Sequence, residues 1–297
     1  PCIGKNRMQV EPVSGQMQTR QLQQAIDDLS WRGGGTLVLQ PGVYRTGALH
    51  LKNGVELHLA SEDTLVQFVP DDPAENYPLV FSHWEASPCY NFSALLYACD
   101  AQDIAVTGKG VLDGGADADH WWNWHHQVEE SWSENRPDLQ RADRSALRRM
   151  NEEGVPIPDR IFGGGHFLRP NFVQFLRCER VLLQGVTLHN SPMWQLNPVQ
   201  CRSVIVEQIM FCDSVMDTVH GAAIRGAMLY EDGRNGTELP VFRDITIENI
   251  TAHGGEYGIF LEAFPEVPLT GLTLRNIRID GVRRPLRSMN WKDAAVE

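Results

Sequence analysis

A short strand pattern recurs along the chain at nearly regular intervals. The segment CERVLLQGVTL (178–188) superposes on CRSVIVEQIMF (201–211) with an offset of 23 residues. The matched apolar residues are Val181 with Val204, Leu183 with Val206, Val186 with Ile209 and Leu188 with Phe211. Strict alternation is typical of strands, and recurrence at roughly 20–50 residues indicates a solenoid whose turns bury their apolar faces against one another.

The same pattern returns in RDITIENITA (243–252) and GLTLRNIRI (271–279). It predicts an all-β fold, a single-stranded right-handed parallel β-helix. One domain is expected over residues 1–297, because solenoids of this length form one unit. A β-sandwich is the alternative, but its strands would be joined by hairpin turns, and Asn-Gly occurs only at Asn53 and Asn235.

Two segments depart from the strand period. TRQLQQAIDDLSW (19–31) places Leu22, Ile26 and Leu29 on one helical face, with Thr19 as the predicted N-cap. We expect this helix to cap the open N-terminal end of the solenoid. An insertion at about residues 115–168 is predicted to be partly helical and to form a wall of a cleft, because loops of this length without a role are uncommon.

The charge of the chain limits its partners. The formal net charge is −12 at pH 7. Because nucleic-acid binding depends mainly on Lys and Arg, this value argues against a nucleic-acid partner. No apolar run reaches the length of a membrane span, so no membrane partner is expected. An acidic substrate would require a local basic cluster that offsets the global charge.

The six cysteines are too sparse for a disulfide framework and lack the paired spacing of a zinc site. We therefore expect no metal and no cofactor. The chain starts PCIGKNRM, where no signal peptide is visible, which leaves localisation open between the cytoplasm and export after processing. An exposed terminal rung predicts a monomer or a weak homo-oligomer.

Four longer segments follow a known order along the chain. They are GGGTLVLQPGVYRTGALHLKNGVELHL (33–59), VTGKGVLDGGADADHWW (106–122), LRPNFVQFLRCERVLLQGVTLHNSPMWQLNPVQC (168–201) and FRDITIENITA (242–252). They resemble the polygalacturonase family, glycoside hydrolase family 28. The resemblance implies a parallel β-helix that hydrolyses α-1,4 linkages of galacturonate polymers in cell-wall pectin, with inversion and without a metal.

The family's catalytic motifs are absent from this chain. In the family, the carboxylates come from an Asn-x-Asp segment and an Asp-Asp pair, supported by Gly-His-Gly and Arg-Ile-Lys motifs. Here Phe211 is followed directly by CDSVMDTVHGAAIRGAMLYEDG (212–233), which resembles the region after the catalytic rungs. Several rungs are therefore predicted to be missing, with the join inside 209–221 and residues 222–230 stacked on the strand that begins at Val204.

The candidate catalytic residues near this join are Asp213, Asp217 and His220. In the functional interpretation, one aspartate is the acid and the other the base, His220 orients them, and Arg225 holds the substrate carboxylate. The structural alternative is that they are solvated turn residues. We prefer it, because four residues of turn do not fix two carboxylates on opposite faces of a sugar.

Further candidates lie in the insertion and directly after it. Trp121 and Trp122 offer aromatic faces to a sugar, with packing inside the insertion as the alternative. His166 and Arg169 are the candidate basic cluster, with a surface ion pair as the alternative. Asp113 is interpreted as an ordinary turn residue.

Two functions agree with these observations. The first is a glycosidase of the polygalacturonase type that acts on pectin-derived galacturonate oligo- or polysaccharides, impaired by the loss of its catalytic rungs. The second is a non-catalytic carbohydrate-binding or remnant β-helix. A Ca²⁺-dependent pectate lyase ranks last, because the sequence lacks a suitable cluster of acidic ligands.

Overall fold

The computed structural model describes residues 1–85, 87–125, 138–207, 210–211, 222–227, 243–248, 251–292 and 295–296. The α-helices within these ranges are α1 (Thr19–Trp31), α2 (Pro73–Asn76) and α3 (Leu139–Glu152).

The strands before the predicted join are β1 (Asn6–Val10), β2 (Gly35–Leu39), β3 (Gly42–Thr46), β4 (Leu49–His50), β5 (Val55–Leu59), β6 (Thr64–Phe68), β7 (Leu79–Trp84), β8 (Ser87–Phe92), β9 (Leu96–Cys99), β10 (Gln102–Gly108), β11 (Val111–Asp113), β12 (Val173–Leu176), β13 (Glu179–Gln184), β14 (Thr187–His189), β15 (Leu196–Val199), β16 (Arg202–Glu207) and β17 (Met210–Phe211). The strands after it are β18 (Ala222–Ala227), β19 (Arg243–Glu248), β20 (Thr251–His253), β21 (Tyr257–Glu262), β22 (Leu269–Arg275), β23 (Arg278–Asp280), β24 (Arg284–Met289), β25 (Trp291–Lys292) and β26 (Ala295–Val296).

From β2 onward, and leaving out the hairpin β7–β8, every third strand along the chain stacks on the same face, so the strands form the three faces of a parallel β-helix. The first face has the order β1-β2-β5-β10-β13-β16-β19-β22-β25, with β26 also paired to β22. The second contains β3-β6-β11-β14-β17 and then β20-β23, and the third contains β4-β9-β12-β15 and then β18-β21-β24. The hairpin β7–β8 is antiparallel and lies outside this stack. The predicted right-handed parallel β-helix is confirmed.

The predicted repeat is confirmed residue by residue. Strand β13 pairs with β16 through Val181↔Val204 and Leu183↔Val206. Leu188 pairs with Phe211 on the second face. Because side chains alternate between the two sides of a strand, this register keeps each inward apolar residue above another one.

The predicted stacking at the join is wrong in one respect. Strand β16 pairs with β19, through Ile205↔Thr246, rather than with β18. Strand β18 lies on the third face, where Ile224 pairs with Ile259. The reason is that β17 already occupies the second face, so the next strand along the chain falls on the third.

The first face is continuous across the join, whereas the pairings of the other two stop there. Among the described strands, the second face ends at β17 and resumes at β20, and the third ends at β15 and resumes at β18. The β16–β19 pairing has three residue pairs, against five for β13–β16 and five for β19–β22. The discontinuity coincides with the join that the sequence predicts.

Helix α1 caps the N-terminal end of the stack, as predicted. Its buried residues, Leu22, Ala25, Ile26 and Leu29, belong to the main apolar core. Thr19 is the first helical residue rather than the N-cap, because Gln18 takes that position. The Thr19 hydroxyl instead accepts the backbone N–H of Gly47 at 2.7 Å, which ties the helix to the first rung.

The insertion is partly helical, as predicted. Asp138 caps α3 by accepting the backbone N–H of Arg141 at 3.0 Å, and Gly154 follows the helix with a positive φ of 69°. In the part of the chain described here, no helix has the length and apolar composition of a membrane span.

Candidate functional site

The outer surface of the third face begins with a row of polar and aromatic side chains. His50, Tyr97, Gln174 and Asn197 are in register on β4, β9, β12 and β15. Gln174 is fully buried and Asn197 is 8% exposed. Tyr97, Gln174 and Asn197 are therefore shielded from solvent, although they lie on the outer side of the sheet, and His50 is half-buried.

The hairpin β7–β8 covers this row. The Tyr97 hydroxyl donates to the Phe81 carbonyl at 2.6 Å, and Gln174 Nε2 donates to the His83 carbonyl at 2.8 Å. Ser82 Oγ donates to Gln174 Oε1 at 2.8 Å. Burial lowers the pKa of His83 to about 4, with the nearby Arg177 acting in the same direction, so this imidazole is neutral at pH 7. The hairpin thus forms a wall at the N-terminal end of the third face.

The turn of the hairpin is anchored to the insertion. Glu85, at 10% side-chain exposure, pairs with Arg144 at 2.9 Å and with Arg148 at 3.1 Å, both on α3. The wall therefore consists of the hairpin in front and the insertion helix behind it. The sequence predicted a wall from the insertion alone.

We expect Glu85→Gln to destabilise the protein by about 1–3 kcal/mol, because two arginines lose their shared carboxylate in a half-buried site. Urea unfolding measures the loss, and hydrogen exchange of α3 shows whether the helix loosens. Glu179→Gln is the matched control, because Glu179 pairs with Arg180 at 47% side-chain exposure. An equal change in both variants would contradict the anchoring role.

Arg169 lies under the wall and is 9% exposed. Its Nε donates to Gln140 Oε1 at 2.8 Å and its Nη1 to the Pro192 carbonyl at 2.8 Å. Its own carbonyl accepts the Trp84 indole N–H at 3.0 Å. Burial lowers the pKa of the guanidinium to about 10. These contacts brace α3 and the hairpin, in place of the surface ion pair that was the alternative.

His166 and Arg169 do not form a joint basic cluster in the structure. His166 Nδ1 lies 2.7 Å from Asp143 Oδ1, and the same carboxylate accepts the Phe167 backbone N–H at 2.6 Å. The requirement for a basic cluster is therefore not met by these two residues.

The two candidate tryptophans have different surroundings. Trp121 is 2% exposed, and its ring packs edge-on against Tyr77 at 5.4 Å and Trp124 at 5.0 Å. It presents no ring face to a ligand, so the structure favours the packing alternative. Trp122 is half-buried and donates its indole N–H to the Ser191 carbonyl at 2.8 Å.

Trp122 also lines a cavity of about 370 Å³ on the second face, together with Arg45, Asp71, Asp113 and His120. Asp113 Oδ1 accepts the Gly115 backbone N–H at 2.9 Å and Asn190 Nδ2 at 3.0 Å. This is the turn role that the sequence predicts for Asp113. Within the described ranges, no group of three or more His, Cys, Asp or Glu residues is arranged to hold a metal ion.

Asp213, Asp217 and His220 lie outside the described residues. Arg225 lies in β18, where it is in register with Phe260 of β21, which in turn pairs with Arg287 of β24. The predicted substrate-binding position of Arg225 is therefore on the third face, beyond the wall.

A group of aromatic and arginine side chains lies on this part of the third face. We call Tyr257, Phe260, Arg284 and Arg287 the aromatic–arginine surface. The Arg287 guanidinium carbon lies 5.1 Å from the Phe260 ring centroid, and that of Arg284 lies 5.6 Å from the Tyr257 ring centroid. The two rings are 5.4 Å apart.

This surface was not predicted from the sequence, although the sequence contains a signal for it. In YGIFLE (257–262), Ile259 and Leu261 alternate as inward residues, so Phe260 is an aromatic residue at an outward position. Arg284 and Arg287 fall in the following rung, RPLRSM, at positions that a register prediction would have placed beside Tyr257 and Phe260.

No model of a known protein family matches the chain. A curated probable polygalacturonase from Vitis vinifera is 19% identical over 202 residues, which cover 65% of this chain and 33% of the relative. The chain thus spans about a third of that relative's length.

Solved structures show the same fold. A hyperthermoactive exopolygalacturonase from Thermotoga maritima is 25% identical, with a TM-score of 0.69 over 100% of this chain and 92% of the other. A family 28 exopolygalacturonase from Yersinia enterocolitica is 14% identical, with a TM-score of 0.55 over 98% of this chain and 59% of the other. The A-module of a mannuronan C-5 epimerase from Azotobacter vinelandii is 12% identical, with a TM-score of 0.52 over 95% and 65%. The resemblance to polygalacturonases is confirmed.

Proposed function

We propose that this polygalacturonase-like β-helix binds galacturonate-containing saccharides of pectin on its third face and that its hydrolysis of them is impaired. The observation that carries the proposal is the interrupted third face, where β15 and β18, among the described strands, do not pair with each other. The resemblance places the family's catalytic carboxylates on the rungs that would follow β17.

Inverting hydrolysis sets a geometric requirement on these rungs. The two carboxyl groups must lie about 6.5–9.5 Å apart, on opposite sides of the scissile bond. Consecutive rungs of a continuous sheet meet this requirement, because their strands stack about 4.8 Å apart. A face that loses its pairing at the catalytic position does not supply such a frame, which supports impaired turnover.

The second candidate is an active glycosidase that uses Asp213 and Asp217 with His220. It requires one short connecting segment, residues 212–221, to supply both the acid and the base, instead of two consecutive rungs. We regard binding without efficient turnover as the better-supported function.

The wall suggests how a saccharide would lie. The hairpin closes the N-terminal end of the third face through hydrogen bonds to Tyr97 and Gln174, whereas the aromatic–arginine surface is at the other end. We propose that a chain end, rather than the middle of a polymer, approaches the wall. The two exopolygalacturonases of similar fold are in keeping with this proposal.

A reducing-end assay with polygalacturonate and trigalacturonate tests the proposed function. We expect no release above the blank, together with measurable binding of trigalacturonate by calorimetry. Asp213→Asn and Asp217→Asn are the diagnostic variants, and neither should change the result. Turnover in the unmodified chain that either variant abolishes would refute impairment and establish the second candidate.

A further inference from the structure

The aromatic–arginine surface has the composition of a site for an acidic sugar. Phe260 lies on the outer side of β21, because its neighbours Ile259 and Leu261 pack into the C-terminal apolar core. The Arg287 guanidinium lies over the Phe260 ring. An aromatic face beside a planar cation suits a ligand that has both an apolar ring face and a carboxylate.

Tyr257 connects the two arginines. Arg284 Nη1 donates to the Tyr257 hydroxyl oxygen at 2.9 Å. A hydrogen bond from Arg287, and then one from Arg284, lower the pKa of Tyr257. Both guanidinium groups are therefore held close to one phenol, which limits the freedom that ligand binding would otherwise remove.

Charge pairing distinguishes Arg287 from several arginines of the stack. Arg177 pairs with Asp100 at 2.6 Å, and Arg180 pairs with Asp103 at 2.7 Å. Among the described residues, Arg284 has a longer ion pair, with Glu256, at 3.7 Å. The ion pairs found among the described residues do not include Arg287. In a chain of net charge −12, an exposed arginine on an aromatic ring has donors left for an external carboxylate.

We propose that the aromatic–arginine surface is a subsite for a carboxylate-bearing sugar, with the sugar ring against Phe260 and Tyr257 and the carboxylate accepting a bidentate pair from Arg287. This proposal deepens the proposed function and rests on it for the identity of the sugar, a galacturonate. It assigns acid recognition to the last two rungs, away from the predicted join. It also supplies the local basic cluster that an acidic substrate requires and that His166 and Arg169 do not form.

A nucleic acid does not fit this surface as well. Phosphate polyanions require several neutralising cations along their length, and the global charge opposes them. One carboxylate on one sugar needs only one guanidinium fork and one aromatic platform.

Calorimetry of the full chain with trigalacturonate and with its fully methyl-esterified form tests the proposal. We expect the free acid to bind and the ester to bind at least about tenfold more weakly, since a charge-assisted hydrogen-bond pair is lost. Arg287→Ala is expected to weaken trigalacturonate binding at least about tenfold, and Arg287→Lys to recover only part of the loss, because Lys lacks the bidentate fork. Phe260→Ala should weaken the acid and the ester alike.

Arg278→Ala is the matched control, because Arg278 is an exposed arginine of the same rung on the second face. It should leave binding unchanged, and circular dichroism should show that every variant is folded. Equal binding by the unmodified chain and by Arg287→Ala would overturn the subsite while leaving the proposed function in place. Failure of the unmodified chain to bind trigalacturonate would overturn both. If triglucuronate and trigalacturonate bind equally well and Arg287→Ala loses the binding of both, the subsite is supported. The identification of its sugar as galacturonate is then contradicted.

Discussion

Gln140→Ala is expected to destabilise the protein by about 3 kcal/mol, because it removes a hydrogen-bond partner from a buried charged group. Gln140 is 3% exposed, and its Oε1 accepts from Arg169 Nε at 2.8 Å. Because Arg169 is only 9% exposed, bulk water does not replace the lost acceptor. Chemical denaturation at 25 °C measures the effect.

Two further variants separate bracing from ligand binding. Gln24→Ala removes an exposed glutamine that bonds Asp28, and it should change stability by less than about 0.5 kcal/mol. The double variant Gln140→Leu, Arg169→Met should be more stable than Gln140→Ala, because it leaves no buried cation without a partner. If Arg169 only braces the wall, Arg169→Met keeps its affinity for trigalacturonate. A loss of affinity without a loss of stability would restore Arg169 as a substrate-binding residue.

The sequence predicts those features of the fold that depend on local pattern. The repeat places Val181 under Val204 because alternation and period fix both the face and the register of a strand. The join is also predictable from the sequence, because a deletion brings together two recognisable segments that the family keeps apart. The sequence does not predict on which face β18 lies, because that depends on β17 occupying the second face before it.

The features that escape prediction depend on contacts between distant segments. Residues 79–92 alternate like a rung of the solenoid, yet they form a hairpin whose partners, such as Gln174, lie about ninety residues away along the chain. Trp121 has the same sequence neighbours whether it faces a sugar or a core, so its 2% exposure is a result of packing with Tyr77. From the sequence alone, Arg169 is interpreted as a surface cation. The segments that bury it are distant in sequence, so its 9% exposure is not predicted.

The features that were not predicted from the sequence change how candidate functional residues should be selected. Residues selected by type, such as Trp121 and Arg169, prove to be buried, Trp121 in the main apolar core and Arg169 under the wall. By contrast, Phe260 is selected by position, since it is an aromatic residue at an outward position of its strand, and Arg287 is the residue in register with it on the next rung. In a solenoid, a residue type that conflicts with its face is a better indicator of a site than the residue type alone.

The rungs after the join are expected to open at lower free energy than the rungs before it. Across the join, only the first face is paired among the described strands, through three residue pairs. Among the described residues, Leu183 belongs to one apolar cluster and Leu272 to another. Because solenoid stability is the sum of rung and interface contributions, a weak interface separates the two blocks.

Native-state hydrogen exchange tests this division. Amides of β21 and β22 should exchange through an opening at least about 2 kcal/mol less costly than that of β10 and β13, in keeping with sub-global unfolding. Leu272→Ala, at 2% exposure, should lower the free energy of the C-terminal opening by about 2–5 kcal/mol and that of the global opening of β10 by a similar amount, because it destabilises only the state in which the C-terminal rungs are folded. Leu183→Ala is the matched variant on the other side, also at 2% exposure, and it should lower only the protection of β10, because the N-terminal rungs stay folded when the C-terminal rungs open. An equal loss of protection in β10, β21 and β22 of Leu183→Ala would show that the chain unfolds as one unit.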